Sequence, residues 1–159
     1  MKKIANALGL LLILGLPCAS ASIAEDLSPP DWQKQSLKGI TSLRYAVADG
    51  STYDATDDLA KSLSEIKVTA KHIENLKEDA AKPLSVSEAR VKVVAMDRSD
   101  NQCWVGLFVD QLCQLKRNPS ITVSGETYKV GKMCPRADVK KTVTDLCAQF
   151  VSDFSAQKK

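Results

Sequence analysis

Few residues in this chain have chemistry to offer: the cysteines Cys103, Cys113, Cys134 and Cys147, a fifth at Cys18, one histidine, His72, and an acidic run of Asp54, Asp57 and Asp58 preceded by Asp49. The four downstream cysteines are separated by 9, 20 and 12 intervening residues, with no Cys-x-x-Cys and a single histidine to complete a set. That spacing matches no common zinc or redox motif. His72 lies in a Lys/Glu-rich stretch beside Ile73, which reads as a solvated helix residue rather than a general base. No Gly-x-Ser-x-Gly elbow or Ser-x-x-Lys element offers an activated serine. Gly125 and Gly131 flank a strand-like segment without forming a phosphate loop. The acidic run lacks the spaced oxygen ligands and turn glycine of a calcium loop, and suits a helix N-terminus favoured by the dipole. The residues therefore indicate no catalytic set, no metal ligands and no cofactor.

The compartment gives the cysteines a different meaning. Met1-Lys2-Lys3 is a cationic start, Ala7 to Leu16 is an apolar run broken only by Gly9 and Gly15, and Ala19-Ser20-Ala21 is a small-x-small cleavage signature. The apolar run is too short to span a bilayer, and the three features together predict a signal peptide, residues 1–21. A lipoprotein signal ending at Cys18 is disfavoured, because Pro17 stands where Gly, Ala or Ser is wanted. Loss of the leader with its Lys2 and Lys3 leaves 138 residues carrying 20 basic against 19 acidic side chains. A surface so balanced exerts no long-range pull on nucleic acid or anionic lipid, and the length suits one domain with a real core. A periplasmic or secreted location follows, with no transmembrane segment after cleavage.

The elements that must position these residues come from the hydrophobic pattern. Residues 22–36, with Pro29 and Pro30, read as an extended N-terminal arm that Trp32 pins to a single domain over 37–159. From Ile40 to Ala48 the alternation of Leu43, Tyr45 and Val47 with Ser42, Arg44 and Ala46 predicts a strand. Leu59, Leu63, Ile66, Ala70, Ile73, Leu76 and Ala80 recur at helical spacing and predict one long helix closed by Pro83. Its start is open between Thr56 and a Ser62-Glu65 capping box. Strands are expected over Arg90–Met96, Cys103–Leu115 and Ile121–Val130, with Asp97–Gln102 and Asn118-Pro119 as turns, and an amphipathic helix from Arg136 to Ser155. The fold class is α+β: a two-layer, mainly antiparallel sheet of about four strands packed by two helices.

An even set of exported cysteines defaults to two disulfides. Ten residues of strand hold Cys103 and Cys113 roughly 33 Å apart, and more than three helical turns separate Cys134 from Cys147 by roughly 18 Å. A bridge needs Cα atoms within about 7 Å. A hairpin centred on Asn118-Pro119 places Cys103 opposite Cys134, and a last helix running back over the sheet carries Cys147 towards Cys113. Cys103–Cys134 and Cys113–Cys147 are thus the expected bridges, worth on the order of 3 kcal/mol each.

If the helices cover the Cys103 face, then Trp104, Phe108 and Leu112, with Val94 and Met96 from a neighbouring strand, form an apolar opposite face. Such a face marks a partner or ligand site, unless the Trp32 arm or a second copy of the chain covers it. The chain also resembles a scattered group of short exported bacterial proteins without an established function. The resemblance is carried by Leu37-Lys38-Gly39-Ile40, by the strand around Val105 to Leu115 leading into Lys116-Arg117-Asn118, and by Asp145-Leu146 and Phe150-Val151-Ser152-Asp153-Phe154. It implies an exported domain and no functional residue. The sequence thus predicts a non-catalytic binding or envelope-associated module whose partner is a protein or small molecule, with a homodimer allowed. Two rivals stand beside it: an inhibitor of an extracellular enzyme presenting Asp97–Gln102, and a hydrolase dependent on His72.

Overall fold

Leu43, Tyr45 and Val47 turn one way and Arg44 and Ala46 the other along the first strand, β1 (Ser42–Val47), as the alternation requires. In the computed structural model, which describes residues 28–115 and 117–158, three further strands follow the expected pattern: β3 (Glu88–Asp97), β4 (Gln102–Leu115) and β5 (Asn118–Pro135). The leader, Cys18 and residues 22–27 of the arm lie outside the described residues.

The long helix does not form. Its stretch divides into α2 (Thr56–Leu63), a strand β2 (Thr69–His72) and a short α3 (Leu76–Ala80). Leu59, Leu63 and Ile66 are buried, but Ala70 and Ala80, which extend the helical stripe on paper, are exposed. Small side chains at periodic positions contribute little burial energy, so the stripe constrains only its first two turns. Beyond them Val68 and Thr69 suit a strand, and pairing with β1 decides the conformation. Of the two possible starts, Thr56 opens the helix, with Asp54 Oδ1 accepting from Thr56 N at 3.0 Å. Ser62 lies inside it and donates to Asp58 O.

The described residues therefore form a five-stranded mixed sheet, ordered β2-β1-β3-β4-β5, in place of four antiparallel strands. β1 runs parallel to both β2 and β3, and β3-β4-β5 is an antiparallel meander. This topology sorts the helices. Parallel crossovers are right-handed, and the step from β1 to β2 runs across the sheet in the direction opposite to the step from β2 back to β3. The two connections must then use opposite faces. α2 indeed packs with the C-terminal helix α4 (Val139–Ala156) on one face, while α3 places Asp79 against the other.

The inner face holds the core: Leu43, Val91, Val93, Val105, Leu107, Val109, Tyr128 and Val130 lie beneath Leu59, Leu63, Val143, Leu146, Phe150 and Phe154. Each such side chain contributes roughly 1.5–3 kcal/mol on burial. Tyr128 meets the edge of Phe150 at 5.6 Å, and its hydroxyl donates to Asp153 Oδ2 at 2.9 Å. The end of the N-terminal arm is helical: α1 (Asp31–Ser36) starts after Pro30, which stands just outside the first turn, where a missing N–H costs nothing. Trp32 is 62% exposed; Gln33 holds the helix to the edge of β5, its Oε1 accepting from Lys129 N at 3.0 Å. With α1 and α3, the described residues hold four α-helices rather than two.

The expected disulfides are also corrected, since Cys103, Cys113, Cys134 and Cys147 are all free thiols. Cys103 does face Cys134 in the strand register, but its Sγ–H donates to Asp97 Oδ1 at 3.0 Å. The second pair fails on length. α4 reaches the level of Tyr128 and its strand partner Val109 with Phe150 and Asp153. Cys113 lies four residues further towards the turn, roughly 13 Å, while Cys147 lies about one helical turn back the other way.

Candidate functional site

The outer face is best read as rows of cross-strand partners. Arg44, Arg90 and Asp110 form the first; Lys92 and Phe108 stand in the second; Val94, Gly106 and Gly131 in the third; Met96, Trp104 and Met133 in the fourth. The rows run from charged to apolar across the face.

The charged end is covered. Arg44 and Arg90 are Cα partners on adjacent parallel strands, and two like charges side by side and buried require a counter-ion. α3 supplies Asp79, itself 5% exposed: Arg44 Nη1 donates to Oδ1 at 2.6 Å, Arg90 Nε to Oδ2 at 2.8 Å, and Arg90 Nη2 to the Asp79 carbonyl at 2.8 Å. Asn75 caps this helix by accepting from Glu78 N. Glu88 accepts from Arg44 Nη2 at 3.0 Å and lies 2.9 Å from Arg44 Nε as a charge contact, that N–H not being directed along a hydrogen bond. Burial pulls the Asp79 carboxyl upward, but the bonds from the two guanidiniums prevail and hold it below the usual carboxylate range. The Arg44 guanidinium is likewise opposed by burial, yet raised by Asp79 and Glu88. A cleft of about 740 Å³ opens beside this cluster, with Lys71, His72, Glu74, Glu78 and Lys82 on its walls. Its lining mixes three cationic side chains, Arg44, Lys71 and Lys82, with four acidic ones, Glu74, Glu78, Asp79 and Glu88, so neither sign dominates it.

The apolar end is not covered by any helix among the described residues. Trp104 lies flat across the sheet, with its ring over Gly106 and Gly131. A Cβ at either glycine would fall within van der Waals distance of the indole: at 2.8 Å from Cζ2 for Gly131, and closer still, against Cη2, for Gly106. Phe108 sits 5.7 Å from Trp104 at a tilt of 43°. Both rings are half-buried, Met133 likewise, and Met96 is 37% exposed. Lys92, paired with Asp110 at 2.7 Å, borders the patch on the charged side. Of the expected face residues, Trp104, Phe108, Val94 and Met96 come together here. Leu112 shares their alternation but lies beyond Gln111, the last β4 residue paired with β3, and is carried away on the hairpin arm.

His72 is exposed at the end of β2, its ring 5.3 Å from that of Tyr45. It stands on a strand and not on the helix expected for it. Burial raises the Cys103 thiol and the neighbouring Asp97 raises it further, the opposite of what activates a nucleophile. Burial likewise pushes Cys147 up to about 12. No group of three or more His, Cys, Asp or Glu side chains among the described residues is arranged to hold a metal. The Asp97–Gln102 turn is stiff: Asp100 and Asn101 are left-handed, at φ 62° and 58°, and Arg136 fixes it by donating from its backbone N–H to Asn101 O and pairing with Asp97.

Sequence reasoning missed Gly106, Gly131 and the Arg44–Asp79–Arg90 cluster. Signals for both were present: a glycine inside a strand two residues from a tryptophan marks close approach, and arginines at mid-strand positions call for a buried partner.

No family model matches this chain, and no curated protein is similar to it. Among solved structures, the chain is similar to a crystal structure of a protein described as a minor lipoprotein from Acinetobacter baumannii, at 12% identity over 74% of this chain and 92% of that one, with a TM-score of 0.34. So low a score carries no inference about fold or role. No described helix is long and apolar enough to cross a membrane.

Proposed function

We propose that this protein is an exported, non-catalytic binding module, periplasmic or secreted, that engages a protein partner through Trp104, Phe108, Met96 and Met133. The observation that carries this reading is the Trp104 ring laid over Gly106 and Gly131 on a stretch of sheet that no described helix covers. A rigid aromatic pair with methionines, bordered by paired charges, has the make-up of an interface hot spot. The Trp104 ring lies over the sheet surface, and the two cavities seen among the described residues at the Arg44 cleft and beside Cys103 and Arg136 do not include it. Small-molecule sites are concave, so a protein surface is the better match. The leader supports export, and the mass of the mature protein tests it: an N-terminus near Ser22 is expected, and an intact Met1 refutes it.

Trp104→Ala and Phe108→Ala should each weaken partner capture at least about tenfold, the loss of one hot-spot side chain. Thermal unfolding should show both variants folded, and capture retained by both would exclude this face. The inhibitor reading draws on the stiff Asp97–Gln102 turn. It predicts instead that Asn101→Ala abolishes capture while Trp104→Ala does not.

A further inference from the structure

β3 pairs with β4 only as far as Gln111, yet β4 and β5 continue as a two-stranded ribbon to the turn at Arg117. On this ribbon Leu115 is 41%, Ile121 45% and Val123 41% exposed. Val123 is the partner of Cys113, whose position alternates with the core-facing Val109, so the ribbon's apolar side prolongs the inner face past the reach of α4. Two strands alone are marginal in water, and a third with a shared apolar face is what such a ribbon lacks.

Among the described residues, the outer edge of β5 is open where the ribbon begins and closed behind it. At Thr127 and Lys129 the helix α1 occupies that edge, Ser36 Oγ donating to Thr127 O and Gln33 Oε1 accepting from Lys129 N. Between this plug and Asn118 no side chain carries a charge except Glu126, in a chain where 26% do. Natural edges are protected by charge or by shortness, and the far edge of this sheet has both: β2 is four residues long and carries Lys71 and His72. The β5 edge has neither from Ser120 to Gly125.

We infer that the segment Ser120–Glu126 pairs antiparallel with the same segment of a second copy, making a two-fold dimer with a four-stranded ribbon at its centre. Antiparallel self-pairing about Val123 sets Ile121 opposite Gly125 and Ser120 opposite Glu126 of the other copy. No like charges meet at any step, which is the self-complementarity an isologous contact demands. The apolar sides of both ribbons then form one surface. The Trp104 faces take no part, so the dimer is independent of the partner reading above.

Sedimentation equilibrium of the mature protein over a range of concentrations tests this inference, together with hydrogen exchange. The mass should rise from one chain towards two with concentration, and amide protection over Ser120–Glu126 should rise with it. Val123→Lys, at an exposed position, should keep the unfolding temperature while weakening dimerisation at least about tenfold. Trp104→Ala should leave it unchanged. A protein that stays monomeric throughout overturns the inference. So does a dimer that survives Val123→Lys, or protection over Ser120–Glu126 that does not depend on concentration.

Discussion

Gly106 and Gly131 act by what they lack. Trp104 lies flat only because neither residue below it has a Cβ, so the site depends on two side chains that are absent as much as on one that is present. Gly106→Ala should lift the indole from the sheet, with a modest loss of stability, and should weaken capture as Trp104→Ala does. In a Trp32→Phe background the emission of Trp104 should shift to the red, and an unshifted spectrum would mean the ring does not rest there. Asp79 is the second critical residue, because among the described residues it alone bridges Arg44 and Arg90. Asp79→Ala leaves two buried guanidiniums short of a partner and should cost about 3–5 kcal/mol, measured by denaturant unfolding. The sign of the pH effect follows from the depressed carboxyl. Its stabilisation is fully present above the unfolded value of about 3.9 and is lost as pH falls through the lower folded value. The variant should therefore lose less stability on acidification than the native protein does.

Among elements, legibility tracked how much apolar area stood behind each pattern. β1, β3, β4 and α4 were legible because Leu43, Val91, Val93, Leu107, Val143 and Phe150 are large, periodic and buried. The stretch from Ser64 to Ala80 was not, because two of its five periodic positions, Ala70 and Ala80, are small and exposed, and pairing of β2 with β1, a contact set by residues distant in sequence, overrode the helical rhythm. Trp104, Phe108, Val94 and Met96 could be placed on one face from strand parity alone. Leu112 could not, because where β3 ends is a tertiary fact. The cysteines teach the same lesson: the register of Cys103 and Cys134 was readable from one hairpin, whereas the level of Cys147 depends on where α4 docks. That arrangement predicts an order of thiol reactivity. Cys113 is half-buried and the other three are buried, so brief alkylation of the native protein followed by peptide mass mapping should label Cys113 first. A peptide joining Cys113 to Cys147 would contradict the docking of α4.

For the whole molecule, the two faces of one sheet are used differently. Among the described residues, the inner face is closed by α2 and α4, and the outer face is closed by α3 only at its charged end. Right-handed crossovers impose that division once β1 lies between two parallel neighbours, and the antiparallel hairpin of β4 and β5 adds no helix to the outer side. The surface left over carries the aromatic pair. A photo-reactive phenylalanine analogue placed at position 108, in mature protein incubated with native envelope extract, asks most directly whether that surface binds. One discrete protein adduct should form from position 108, none from a control at Lys71, and Trp104→Ala should suppress the adduct. Equal labelling from both positions, or an adduct untouched by Trp104→Ala, would contradict a binding role for this face.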